Sequence, residues 1–267
     1  MNRLNSRFAA LAATARKALV PYVCAGDPDP TQTVDILHAL VAGGADVLEI
    51  GMPFSDPAAD GETIQRANER ALARGVTFAD VLAMVRTFRE RDHDTPLVLM
   101  GYLNSFERNG AAATLKKAGE AGVDGVILVD CPVEALADYR EALDAAGVLP
   151  ILLVAPTTQE ERLGAILAAA GGFVYYVSLR GVTGREAADA NAIQAAVEAL
   201  KAQTDIPVCI GFGIRDGDTA RAMAAFADGA VIGSALVQAL HDAAMRGDSL
   251  PATAERFAGT IRRALDN

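Results

Sequence analysis

The feature that most constrains this chain is a succession of eight short runs rich in Val, Ile and Leu, at 20–25, 46–50, 97–101, 125–129, 151–155, 173–178, 207–211 and 230–233. Strands this continuously apolar are buried on both faces, as in a parallel sheet wrapped by helices. Between them lie alanine-rich segments with apolar residues three and four apart, as at 33–41, 64–72, 78–88 and 111–118, the spacing of an amphipathic helix. Several finish on glycine, at Ala42-Gly43-Gly44, Ala121-Gly122 and Ala146-Gly147, where a left-handed C-terminal cap fits. Gly43-Gly44-Ala45-Asp46-Val47-Leu48 is echoed by Ala121-Gly122-Val123-Asp124-Gly125-Val126, a weak sign of a repeated unit. Eight strand and helix units in 267 residues, with no linker rich in Pro, Gly and Ser, predict an α/β fold. A single (β/α)8 TIM barrel occupying 1–267 is favoured over a two-domain doubly wound protein.

The first eighteen residues place basic side chains ahead of a short apolar run, as a signal peptide does. Leu4, Phe8 and Leu11, however, recur at i, i+4 and i+7. This describes an extra amphipathic helix able to cover the bottom of a barrel. No stretch reaches the roughly 18 apolar residues of a membrane helix.

The formal charge of −10 disfavours nucleic acid and anionic membrane surfaces as partners. A small molecule or another protein is expected. Cys24, Cys131 and Cys209 are far apart and form no CxxC pair, so they read as buried apolar residues of a reducing, cytoplasmic protein. His38, His93 and His241 are equally scattered, and no metal site is expected.

Active sites of this fold lie on the loops that follow the strands. On the second strand, alternation puts Glu49 on the same face as Val47. It is either a structural carboxylate held by a Lys or Arg, or an acid/base group whose pKa is raised by burial. The loop 52–61 is long for a strand-to-helix turn, and its Asp60 precedes Gly61-Glu62-Thr63. Asp60 is therefore a helix N-cap, a catalytic group, or both.

Gly211-Phe212-Gly213 follows the seventh strand, and Gly233-Ser234 opens a short extra helix after the eighth. Glycine loops and a helix N-terminus at these two positions form a phosphate cradle. The glycine spacing after the seventh strand, Gly211-Phe-Gly213-Ile-Arg-Asp-Gly217, is not that of a dinucleotide fingerprint. The sixth loop, 179–185, combines glycines, Thr183 and two arginines, a composition suited to a lid over a ligand.

These motifs together resemble one family over essentially the whole length, the tryptophan synthase alpha chains. The resemblance rests on Pro21-Tyr-Val-Cys-Ala-Gly-Asp-Pro28, Leu48-Glu-Ile-Gly-Met-Pro-Phe-Ser-Asp-Pro57 through Asp60-Gly61, Ile64-Gln65, Met100-Gly-Tyr-Leu-Asn104, Gly181-Val-Thr-Gly184 and Gly211-Phe-Gly213. It implies retro-aldol cleavage of indole-3-glycerol phosphate to indole and glyceraldehyde 3-phosphate, in tryptophan biosynthesis. No cofactor is implied in this chain, since pyridoxal phosphate is expected in a partner beta chain, within an alpha2-beta2 heterotetramer.

By that resemblance Glu49 moves protons at indole C3 and a glycerol hydroxyl, while Asp60 accepts the indole N–H. Tyr175 lies near Glu49, Thr183 anchors the lid against Asp60, and Gly184, Gly213, Gly233 and Ser234 surround the phosphate. Phe212, Met100 and Tyr22 flank the indole, each being equally credible as core packing. Tyr22 and Met100 replace the commoner Phe and Leu, which keeps their bulk; Cys131 replaces a commoner aliphatic residue. The partner surface implied is Pro53, Asp56 and Pro57 in the 53–60 loop. Other readings are a stand-alone lyase, a catalytically silent allosteric barrel, and another phosphate-binding barrel enzyme such as an isomerase of the same pathway.

Overall fold

The computed structural model describes residues 2–177, 186–211 and 213–267, with 186–190 described by their backbone alone. Its strands are β1 (Ala18–Cys24), β2 (Leu48–Gly51), β3 (Leu97–Gly101), β4 (Gly125–Leu128), β5 (Leu149–Pro150), β6 (Leu152–Val154), β7 (Val174–Val177), β8 (Val208–Gly211) and β9 (Gly229–Ile232). All pair in parallel, in the order β5-β4-β3-β2-β1-β9-β8-β7-β6.

The fifth predicted run, 151–155, holds β6, and a second short strand, β5, precedes it, for a reason visible in the sequence. Ile151 donates its N–H to Val126 O at 2.9 Å, on the β4 side, and β5 pairs there. The neighbouring position is Pro150, which has no N–H to offer the other side. Pairing with β7 begins only at Leu152. Since Ile151 alone separates β5 from β6, the two are one bent stave, and the nine pieces close into an eight-stave barrel as expected.

The barrel is filled from the bottom. Helix Arg3–Ala13 buries Leu4, Phe8 and Leu11, the face its periodicity indicated. They pack on Ala18, Val20, Val47, Val98, Ile127, Ile151, Phe173, Cys209 and Val231. These are the inward residues of successive staves. Asn2 caps the helix by accepting the Leu4 N–H.

The echo around Asp46 and Asp124 proves to be a repeated joint. Asp46 accepts the Leu19 N–H and Asp124 the Leu97 N–H, each at 2.9 Å, so each carboxylate ties its own strand to the one before. Each is paired with a buried arginine from an outer helix, Arg262 at 3.0 Å and Arg89 at 2.9 Å. Asp228 repeats the arrangement with the Val208 N–H and Lys201.

Of the glycine caps, Gly122 and Gly147 are left-handed as expected. At the first cap it is Gly44, with φ +98°, that turns the chain, whereas Gly43 stays right-handed. The extra helix after β9, Ser234–Arg246, runs 13 residues rather than being short. Its length follows from Leu236, Val237, Leu240 and Ala243, which give it a face buried along its extent. Helix Leu250–Leu265 closes the outer layer against Thr33–Ala42. Cys24 and Cys209 are buried as expected, but Cys131 is only half-buried, in the turn after β4. No described helix is long and apolar enough to cross a membrane.

Candidate active site

Glu49 stands one step above Val47 on the inner face of β2, its Cα opposite Tyr22 of β1 and Val98 of β3. It is 1% exposed. Among the described residues no Lys or Arg acts on its charge, and its Oε2 has no hydrogen-bond partner. The structural carboxylate held by a basic residue is therefore not what these residues form. Burial, and secondarily repulsion from Asp60, push its pKa from 4.5 to about 8. A carboxyl in that range can both give and take a proton near neutral pH.

Two tyrosines flank it where glycines make room. A Cβ at Gly51 would collide with the Tyr22 hydroxyl, and one at Gly211 with the Tyr175 hydroxyl. Both glycines face the interior at the upper ends of β2 and β8. Burial holds both phenols well above their usual range, and the charge of Glu49 adds to the effect on each. Met100, Val129, Leu153 and Tyr175, partly buried beside the filled core, form an apolar rim at this level.

Asp60 is not the cap of the following helix. Gly61 is the N-cap of Glu62–Ala73, with no side-chain capping bond. The Asp60 carboxylate turns instead to the Tyr102 hydroxyl and to Asn68 Nδ2, the latter at 3.3 Å. Burial raises its pKa, and these two hydrogen bonds oppose the rise. The Tyr102 hydroxyl also accepts the Ala59 N–H at 3.0 Å, and its ring stacks on Phe54 with centroids 4.7 Å apart. Gln65 donates to the Asp60 carbonyl at 2.8 Å. The loop is thus fixed on both sides of Asp60, while Asp56 is exposed and Pro53 and Pro57 are half-buried.

On the far rim β8 and β9 run side by side, with Gly211 opposite Val231. Gly213 has φ +76° with nothing among the described residues near its missing Cβ, so a ligand can approach its backbone closely. Gly233 caps the helix that Ser234 opens, and the first-turn N–H groups lack intrahelical partners. The resulting cradle suits an anion. Thr183, Gly184 and Phe212 lie outside the described residues. Among the described residues no group of His, Cys, Asp and Glu could hold a metal.

The structure thus brings Tyr22, Glu49, Asp60, Met100 and Tyr175 to one end of the barrel, with Gly213, Gly233 and Ser234 on its far rim. Sequence reasoning missed four participants. Val129 and Leu153 were legible from alternation, two residues beyond the inward Ile127 and Ile151. Tyr102 stood inside a quoted motif without a role, and Asn68 gave no signal, being one polar residue on a helix.

Comparison with known proteins agrees with this geometry. The family model "Tryptophan synthase alpha chain" matches residues 8–265. The tryptophan synthase alpha chain of Burkholderia thailandensis is 52% identical over 266 residues, covering 100% of this chain and 97% of the relative. The crystal structure of tryptophan synthase subunit alpha from Legionella pneumophila superposes with a TM-score of 0.95 at 42% identity, over 100% of this chain and 99% of that one. A chain of the tryptophan synthase complex from Pyrococcus furiosus gives 0.81 at 34% identity, over 92% and 98%. With the fold, its closed register and the full length in agreement, this chain belongs to the tryptophan synthase alpha chain family.

Proposed function

We propose that this chain cleaves indole-3-glycerol phosphate to indole and glyceraldehyde 3-phosphate, with Glu49 and Asp60 as its catalytic residues. The observation that carries this reading is the buried Glu49, unpaired at one oxygen among the described residues and with a pKa raised to about 8, in the electrostatic field of a second carboxylate. Retro-aldol cleavage needs a proton on indole C3 and the loss of one from the adjacent glycerol hydroxyl. A carboxyl that starts protonated gives its proton to C3, becomes the base that takes the hydroxyl proton, and ends protonated again.

Positive charge develops toward the indole nitrogen as C3 is protonated. Asp60 accepts the N–H there and stabilises that charge, a contribution of about 2.7–4 kcal/mol for one preorganised group. Tyr22, Met100 and Tyr175, joined by Phe212, enclose the ring. Gly184, Gly213, Gly233 and Ser234 hold the phosphate, and Thr183 closes the lid toward Asp60. No step requires a cofactor in this chain.

A beta chain carrying pyridoxal phosphate consumes the indole, in an alpha2-beta2 assembly. The tryptophan synthase complex of Pyrococcus furiosus supports such a partner. Pro53, Asp56 and Pro57 form its contact, because their loop is accessible on one side and bonded to Asp60 on the other. Docking there therefore reaches the catalytic carboxylate through four residues.

Indole release by wild type and Glu49→Gln, each with and without a beta chain, tests the whole reading. Wild type is expected to release indole slowly, and faster with the partner, while the variant loses about 10²-fold or more. No indole from wild type under either condition would sink the proposal.

A further inference from the structure

Behind Asp60 lies a pair of side chains for which the lyase chemistry has no use. Cys24, the last residue of β1, is buried and places Sγ 3.6 Å from Asn68 Oδ1. Asn68, 2% exposed on helix Glu62–Ala73, places Nδ2 3.3 Å from Asp60 Oδ2. The direction of this chain is forced by its chemistry. An ionised carboxylate only accepts, so the amide must present its NH2 to Asp60, and the carbonyl left over needs a donor. The thiol of Cys24 is that donor, and burial keeps its proton on by holding its pKa far above the usual range.

The helix carrying Asn68 is itself clamped. Arg70, two residues on, donates to both oxygens of the buried Asp27, at 2.6 and 2.9 Å. Bidentate pairs of this kind fix orientation as well as distance. Asn68 therefore has little freedom to swing away from Asp60. A hydrogen bond to the charged form of a carboxyl favours that form, and here it counters the burial that raises Asp60.

We propose that Asn68, anchored by the thiol of Cys24, is a positioning residue that keeps the Asp60 carboxylate ionised and fixed as an acceptor. Its effect on rate rests on the lyase reading, but its effect on Asp60 does not. The test is a carboxyl ¹³C NMR titration of aspartate-labelled protein, with Asp60→Asn assigning the resonance. The Asp60 midpoint is expected to rise by about one pH unit in Asn68→Ala. It rises less in Cys24→Ala and returns toward wild type in Cys24→Ser, whose hydroxyl can donate in place of the thiol.

In indole release, the acidic limb of kcat/KM moves up with that midpoint, and kcat falls about tenfold while KM stays within about twofold. A midpoint that does not move in Asn68→Ala overturns the proposal. So does one that ignores Cys24→Ala, and that variant decides alone if Asn68→Ala fails to fold. Because the titration uses no substrate, a wild type that releases no indole removes the lyase reading and leaves this result standing.

Discussion

Glu49 carries the sharpest consequences of any single residue here, because its proton is held by burial rather than by a partner. Its folded pKa of about 8 stands above its ordinary 4.5. Between those values the folded chain binds a proton that the unfolded chain has released, so this group's stability contribution is complete below about pH 4.5 and lost as pH rises through 8. Glu49→Gln removes the titration. Its unfolding free energy should gain on wild type by a few kcal/mol, roughly, between pH 5 and pH 9, as urea unfolding at the two pH values will read. For catalysis the sign is the same. If the starting state is the protonated carboxyl, kcat/KM is level above the acidic limb set by Asp60 and falls through about pH 8, and a rate still rising above that pH would contradict the C3-protonation role.

At the scale of elements, the barrel divides its work between two ends. The lower joints hold strands together: Asp124 ties β4 to the Leu97 N–H and pairs with Arg89 and Arg3. Asp124→Ala leaves Arg89 buried without its carboxylate, a loss of about 3–5 kcal/mol. Denaturant melting should show that loss with kcat nearly unchanged at a temperature where the variant is folded. The upper loops do the opposite. Gly213 sits at φ +76°, a conformation valine resists. Gly213→Val would also place a side chain where the proposed phosphate approaches, so KM for the phosphorylated substrate should rise about tenfold or more, a cost of roughly 1.4 kcal/mol or above. An unchanged KM would move the phosphate elsewhere.

For the whole molecule, the plug at one mouth is what lets the other remain a site. Helix Arg3–Ala13 seals the lower layers with Phe8, whose ring lies 5.6 Å from that of Phe173. Phe8→Ala should cost about 3–5 kcal/mol through the cavity it opens while leaving the pH profile of indole release in place. Much of this architecture was legible beforehand. Eight apolar runs, helical spacing between them and glycine stops are local signals, and Glu49 stood out because a carboxylate in an apolar alternation is expensive to bury. The resemblance of whole motifs then assigned chemistry that no single residue carried.

What the sequence determined by itself was the fold and the plug face, and it singled out Glu49 and Asp60 as candidates, since period, composition and motif are properties of the chain read along its length. Only the tertiary structure decided that Pro150 splits a stave, that Asp60 is not a cap, and that Tyr102, Asn68 and Cys24 converge behind it. The physical reason is distance along the chain. Asp60 meets Asn68 across 8 residues, Cys24 meets Asn68 across 44, and Ala59 meets Tyr102 across 43. Which way a polar side chain turns among such neighbours is fixed by burial and hydrogen-bond satisfaction, and these exist only once the barrel has closed.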